Sequence, residues 1–317
     1  MPRPRLLGMK NKKVLVVLGG TSGEREVSLD SGKACIRALK KIGYSVSTFD
    51  PKKRKFNLID QNKTDVIFNA LHGKNGEDGV AQSYFEYLRI PYTHSGIISS
   101  YNAMNKIISK EIFKKNKIKS PMYFVLKKEF YNKIKLNKIL KKKRMNFPIV
   151  IKPVNEGSSI GVRICKNILE LNKASKFLFK KYIELILETY IGGQEIQVAV
   201  LNNDPLGAIE LEPKRKFYDY KAKYSKAAKT KHIMPANLKK SKYKEVLKIA
   251  KKAHHILGCK GITRSDFKFF KNQFYLLEIN TQPGMTSLSL VPEIASYKRI
   301  SFENLVEKIL LNASINR

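Results

Sequence analysis

The stretch Gly261–Ser289, GITRSDFKFFKNQFYLLEINTQPGMTSLS, decides how the rest of the chain is read. Arg264 and Asp266 alternate on one segment and Glu278 and Asn280 on the next, the period-two pattern in which neighbours two apart share a strand face. Lys271-Asn272 lies between them and marks a hairpin turn. Register then decides the chemistry. A two-residue turn pairs Asp266 with Leu277 and sends the carboxylates to opposite faces, whereas a three-residue turn pairs Asp266 with Glu278 and Arg264 with Asn280. The second register, or a bulge of equal effect, is the expectation; in it Phe267 faces Leu277 and Phe269 faces Tyr275. Two carboxylates held side by side repel unless a cation lies between them, and carboxylate and amide oxygens suit a hard ion such as Mg2+. A phosphate-handling site follows. Behind it, Thr281, Pro283, Gly284, Thr286, Ser287 and Ser289 form a polar turn where a substrate can meet backbone N–H groups.

The 317 residues around this hairpin exceed one typical domain, and 43% hydrophobic content marks a globular chain. No apolar run approaches the ~20 residues of a membrane span, and MPRPRLLGMK at the start lacks the apolar centre of a secretion signal, so a cytoplasmic protein is expected. Cys35, Cys165 and Cys259 are widely spaced without a C-x-x-C, which fits a reducing compartment and small core side chains. The net charge of +36 invites a nucleic-acid reading. Its lysines, however, are spread through every segment, as in Lys138 to Lys143 and Lys239 to Lys252, without an arginine-rich tail or aromatic-interleaved patch. No specific nucleic-acid partner is expected, only salt-sensitive attraction to polyanions.

Before the hairpin the pattern is α/β. Val14 to Leu18 reads as a strand running into GGTSGEREVS, with Ser28 expected to cap a helix ending near Gly43. Glu24 and Glu26 in that glycine loop repel phosphate and suit an amine instead. Strands at Tyr44 to Phe49 and Val66 to Leu71 follow, and LHGKNGEDG at the end of the latter sets His72 where doubly wound sheets hold ligands. One helix is expected from Ser99 to Asn116, with Lys106 on it, and a basic helix near Glu129 to Lys143. FPIVIKPVNEGSSIGV then reads as strand, loop, strand: Lys152 projects from a rigid strand, and Gly157 to Gly161 offers backbone N–H groups with Ser158 and Ser159 to phosphates. The strand Leu185 to Tyr190 carries Glu188 and leads into IGGQ and Glu195, acidic residues placed as at a nucleotide's base and ribose edges. Pro213 to Pro235 keeps no period and is expected to be a functional loop.

Taken in order, GGTSGEREVS, ALHGKNGEDG, IVIKPVNEGSSIGV, FYDYKAKY, GITRSDF and LLEINTQPGMTSLSLVP closely resemble the bacterial D-alanine–D-alanine ligases of the ATP-grasp superfamily, over almost the whole chain from Lys12 to about Leu310. The resemblance implies a three-domain α/β ATP-grasp enzyme with an N-terminal doubly wound pre-ATP-grasp domain. The domains would be an N-terminal substrate domain over 1–97, a central subdomain over 98–188 and a C-terminal subdomain over 189–317. It further implies ATP between the last two, two Mg2+ or Mn2+ ions, a homodimer, and ligation of two D-alanines through an acyl phosphate for peptidoglycan synthesis.

Carried over residue by residue, Asp266, Glu278 and Asn280 look like the metal ligands. Lys106, Lys152 and Lys223 look like phosphate contacts, with Ser159 in the same nucleotide set, and Glu188 and Glu195 like adenine-side and ribose-side contacts. Glu24 resembles the holder of the first D-alanine's ammonium, with His72 close by. Arg264 and the backbone at Gly284 resemble the stabilisers of developing oxyanions, and Ser289 and Leu290 the pocket for the second carboxylate. Glu24, Ser158 and Tyr224 resemble a hydrogen-bonded set that closes the long loop, and Tyr224 favours an amine acceptor over D-lactate. Asn105 departs from the family's usual aspartate, and Gln282 lies in a variable slot. Two other functions fit parts of the pattern: a different ATP-grasp carboxylate–amine ligase, and a polyanion-binding protein with a decayed site.

Overall fold

The computed structural model describes residues 12–131, 136–212, 230–286 and 288–316. Three sheets organise them. The first holds β1 (Lys13–Val17), β2 (Ser45–Phe49) and β3 (Val66–Asn69), all parallel in the order β2-β1-β3. Val14 and Val16 of β1 join one core with Leu39, Leu305 and Ile309, while Leu15 and Val17 join another with Phe85 and Tyr92. A parallel sheet that is apolar on both faces needs cover on both, which is the doubly wound arrangement.

Helix α1 (Arg25–Lys41) corrects one expectation, because it starts before Ser28 and has Glu24 in the capping position. Ser28 lies buried inside it and works across the fold. Its hydroxyl accepts from Gly19 N–H at 2.8 Å and donates to the Ala70 carbonyl at 2.7 Å, tying the glycine loop to the end of β3. Helix α2 (Val80–Tyr87) covers the other face of the sheet.

A second correction concerns the long helix. The chain forms α3 (Ile97–Met104) and α4 (Lys106–Lys115), interrupted at Asn105. Asn105 Oδ1 accepts from the N–H groups of Ile107 and Ile108 at 3.0 and 3.1 Å. A side chain that satisfies orphan N–H donors starts a helix better than it continues one, and an amide does this as well as a carboxylate. The departure from aspartate therefore keeps the capping role.

The second sheet contains β4 (Tyr123–Lys127), β5 (Ile149–Pro153), β6 (Arg163–Cys165) and β7 (Glu184–Thr189), antiparallel in the order β4-β7-β5-β6. It encloses its own core of Leu126, Ile149, Ile151, Leu171 and Leu187. The basic helix expected near Glu129 to Lys143 is described as two short helices, Lys128–Tyr131 and Leu136–Lys142.

The third sheet, β10-β9-β8-β11-β12, is built from β8 (Gln194–Leu201), β9 (Asp204–Glu212), β10 (Lys231–Ile233), β11 (Ile262–Phe270) and β12 (Gln273–Asn280). One face packs Ile196, Val198 and Phe267 against the helix Lys240–Ile256. The other packs Ala199, Leu211 and Ile262 with the helices Leu290–Tyr297 and Phe302–Leu311 into the same core as β1. Strand β10 falls within the segment read as loop, paired antiparallel with β9.

The deciding hairpin keeps the expected pairs at its open end, Arg264 opposite Asn280 and Asp266 opposite Glu278. It reaches them by a different route. Lys271 and Asn272 make a two-residue turn with φ of +47° and +62°, so Phe269 faces Phe274 and Phe267 faces Leu276, not the expected partners. A bulge between Asp266 and Phe267 then leaves Leu277 as the extra residue and shifts the phase by one. Leu276 can thus stay in the core while Leu277 and Glu278 both line the cleft. Phe267 anchors this strand, fully buried and edge-on to Phe274 at 6.2 Å. Phe267→Ala is expected to destabilise the fold by about 3–5 kcal/mol, read as a lower urea midpoint with an unchanged slope.

Candidate active site

The open end of the hairpin forms a floor of oxygen donors. Asp266 and Glu278 face each other across the ladder, and Arg264 grips both oxygens of Asp266 at 2.7 and 3.0 Å. Lys106 Nζ stands 3.6 Å from Glu278. Asn280 Oδ1 accepts from Gln282 N–H at 2.8 Å. On β8, Gln197 pairs with Asp266 from the other side; it is fully buried, and neither its amide nitrogen nor its oxygen has a hydrogen-bond partner. Two adjacent carboxylates, an amide beside them and an orphaned buried amide make an oxygen-rich set that fits a hard divalent ion.

The opposite wall comes from the second sheet. Val150 and Lys152 of β5 share a face with Ile186 and Glu188 of β7, because the core takes the alternate residues Ile149, Ile151, Leu185 and Leu187. Glu188 lies 2.9 Å from Lys152 and 3.1 Å from Lys110, all three buried. Burial alone would raise the Glu188 carboxyl, but Lys110 and Lys152 together hold it below its usual range. The same burial lowers Lys110 to about 8 and moves Lys106 downward. Lys106 also donates to the Glu156 carbonyl at 2.5 Å, and Glu195 pairs with Lys268 at 3.0 Å. Lys106, Lys152, Ser159, Glu188, Glu195, Asp266 and Glu278 all line this cleft, whose free volume is only ≈100 Å³.

The first sheet supplies a third side. The Ser158 hydroxyl donates to Glu24, joining the β5–β6 loop to the glycine loop after β1. Two glycines leave room for that carboxylate: a Cβ on Gly73, whose φ is +70°, would lie 2.6 Å from Glu24 Oε2, and one on Gly157 2.9 Å, so a side chain at either would displace it. Glu77 is buried beside them, its Oε1 accepting from Gly73 N–H at 3.1 Å. Burial first, and then the charge of Glu24, raises its carboxyl well above the usual range. His72 is buried too, and burial followed by the Arg264 charge lowers it to about 4. It is therefore neutral near pH 7, with Nε2 at 3.3 Å from Ser31 Oγ.

The remaining expected residues sit further along. Ser31 Oγ also accepts from Met285 N–H at 3.1 Å, so the turn after the hairpin is tied to His72 through one hydroxyl. Ser289 Oγ is 2.9 Å from Thr286 N–H and packs against Gly284. Leu290 buries its side chain in the shared core, leaving its backbone to meet a ligand. Lys223 and Tyr224 lie outside the described residues.

Several contributors were missed. Glu77 stands inside a quoted motif, and Lys110 is one helical turn beyond Lys106, a spacing that signals a shared face. Gln197 gave no signal. Gln282, dismissed as variable, donates to the Leu71 carbonyl and accepts from Asn69 at 2.9 Å, clamping the hairpin's exit to β3.

Comparisons with known proteins show the family and the fold. Family models for the D-ala D-ala ligase C-terminus and N-terminus match residues 112–311 and 48–95. A D-alanine–D-alanine ligase of Pelagibacter ubique is 56% identical over 309 residues, covering 96% of this chain and 99% of its own length. A Bacillus anthracis D-alanine–D-alanine ligase structure superposes with a TM-score of 0.84 at 33% identity, covering 95% of this chain and 97% of that one. The same enzyme complexed with ATP gives 0.82 at 31% identity over 95% and 97%.

The buried histidine sets a pH dependence. Its ordinary value is 6.5 and its folded value about 4, so the unfolded chain binds the proton first and stability falls as pH drops from 6.5 towards 4. Replacing His72 by Asn removes this contribution. The stability difference between pH 7 and pH 4.5 is expected to shrink by on the order of 2 kcal/mol in urea titrations.

Proposed function

The chain belongs to the D-alanine–D-alanine ligase family, and on that premise we propose that it joins two D-alanines to D-alanyl-D-alanine with ATP, releasing ADP and phosphate, for peptidoglycan synthesis. The observation that carries the reading is the pairing of Asp266 with Glu278 beside Asn280, opposite Lys106 and Lys152 in one cleft. A polyanion-binding module has no use for paired carboxylates. A transfer of phosphate to a carboxylate does, since both reactants are anions and charge neutralisation with positioning dominates the barrier.

In this reading the carboxylate of the first D-alanine attacks the γ-phosphorus of ATP, ADP leaves, and a D-alanyl phosphate forms. The amine of the second D-alanine then attacks the acyl carbon, loses a proton, and expels phosphate. Lys106 and Lys152 hold the phosphates; Lys223 is assigned with them from the sequence. Glu188 and Glu195 take the adenine and ribose edges, with Lys110 and Lys152 keeping Glu188 ionised. Asp266, Glu278 and Asn280 would hold Mg2+ or Mn2+, two ions in all, which supplies charge neutralisation on the transferring phosphoryl group. Glu24 receives the first ammonium. Neutral His72 acts there as a hydrogen-bond partner without adding charge. Arg264 and the Gly284 backbone stabilise the oxyanion, and Ser289 with the Leu290 backbone receives the second carboxylate. Ser158 and Tyr224 complete the closing set.

Residues 1–97, 98–188 and 189–317 act as the substrate, central and C-terminal units of a cytoplasmic homodimer. No helix among the described residues is long and apolar enough to cross a membrane.

Phosphate release from Mg-ATP, measured with D-alanine, L-alanine and D-alanine plus D-lactate and with product mass, tests the reading. D-alanine alone should release phosphate and yield the D-alanyl-D-alanine mass; restoration only by another amino acid would sink the substrate assignment. Glu278→Gln should lower turnover at least about a hundredfold with an unchanged urea midpoint, and near-normal turnover would remove Glu278 from the metal set.

A further inference from the structure

The first sheet carries a second cavity, separate from the cleft beside Glu278 and sharing His72 with the site already described. It encloses ≈380 Å³ and lies at the carboxyl ends of β1, β2 and β3 together, between Gly20, Ser22, Lys55, Phe56, Lys74 and Tyr84. The strand order β2-β1-β3 makes this the switch point of the sheet, where the chain leaves β1 once to each side, and open α/β sheets bind ligands there. Its size falls within the ~300–1,000 Å³ of small-molecule sites, unlike the tighter cleft beside Glu278.

The lining states a chemistry. Phe56 is stacked between Phe49 and Tyr84, with ring centroids 6.0 and 5.0 Å apart and planes within 20° and 24°. That stack presents an aromatic wall whose outer ring, Tyr84 on α2, is 41% exposed. Lys55 and Lys74 are exposed at the rim, and no acidic side chain lines the cavity. Asp50, next in sequence to the lining residue Pro51, is paired with Arg25 at 2.7 Å and accepts from Gly20 N–H at 3.0 Å. We propose that this cavity binds a small aromatic anion, a flat ring against Tyr84 and Phe56 with its carboxylate or phosphate at Lys55 and Lys74. The wall opposite the ring is shared with the catalytic side. The Ser22 hydroxyl donates to the His72 carbonyl at 2.6 Å and accepts from Glu24 N–H at 3.2 Å, so an occupant touches the loop that positions Glu24.

Phenyl phosphate, titrated calorimetrically into the full chain saturated with Mg-ADP so that the nucleotide cleft is filled, tests the site without reference to turnover. One binding event is expected. It should weaken about tenfold in Lys55→Ala/Lys74→Ala and in Tyr84→Ala, and remain unchanged in Lys180→Ala, a surface lysine away from the cavity. Lys55 and Lys74 are solvent-facing, so their removal leaves the fold intact. Absence of binding, equal affinity for inorganic phosphate, or indifference to the Lys55/Lys74 change would each overturn the proposal.

Discussion

The arrangement of this protein follows from one electrostatic constraint: acidic side chains stand where their charge costs most. The chain has 62 basic and 26 acidic residues, so carboxylates could have been confined to a surface rich in partners. Instead Glu24, Glu77, Glu188 and Asp266 are buried around one cleft, and Glu278 is held opposite Asp266. Desolvating a carboxylate costs several kcal/mol unless fixed cations repay it. Three of them have an answer in fixed cations or protons: Arg264 for Asp266, Lys110 and Lys152 for Glu188, and a displaced proton equilibrium for Glu77. Lys106 stands 3.6 Å from Glu278 across the same floor.

Much of this was legible because period-two alternation survives in short segments. Arg264, Asp266, Glu278 and Asn280 could be assigned to common faces from spacing alone, and Lys152 to the face opposite Ile149 and Ile151. Register was legible only in outcome. Whether phase is restored by a longer turn or by an extra Leu277 depends on where Leu276 and Phe267 find their core, which is a tertiary matter. Helix breaks at Asn105 and the interior place of Ser28 were misread for a related reason. Both side chains choose between local backbone groups and distant ones, and Ser28 bonds to Ala70, 42 positions away. Gln282 is the extreme case, since its partner Asn69 lies 213 positions back in sequence.

The division of cores says which part of the molecule can yield. The first sheet and the C-terminal helices share one apolar core, and the hairpin's exit is further clamped to β3 by Gln282 and to α1 by the Met285–Ser31 bond. The hairpin floor and the first sheet are therefore one mechanical body. The sheet of β5 and β7 has a core of its own, and its described links to the rest include polar ones: Ser158 to Glu24, and Lys106 N–H to the Val154 carbonyl. Polar links exchange with water at little net cost, whereas parting a shared apolar core does not. A cleft of ≈100 Å³ is too small for a nucleotide. Admission must separate the Lys152 wall from the Asp266 floor. The bond between Ser158 and Glu24 ties that wall to the first sheet, so such a separation would break it.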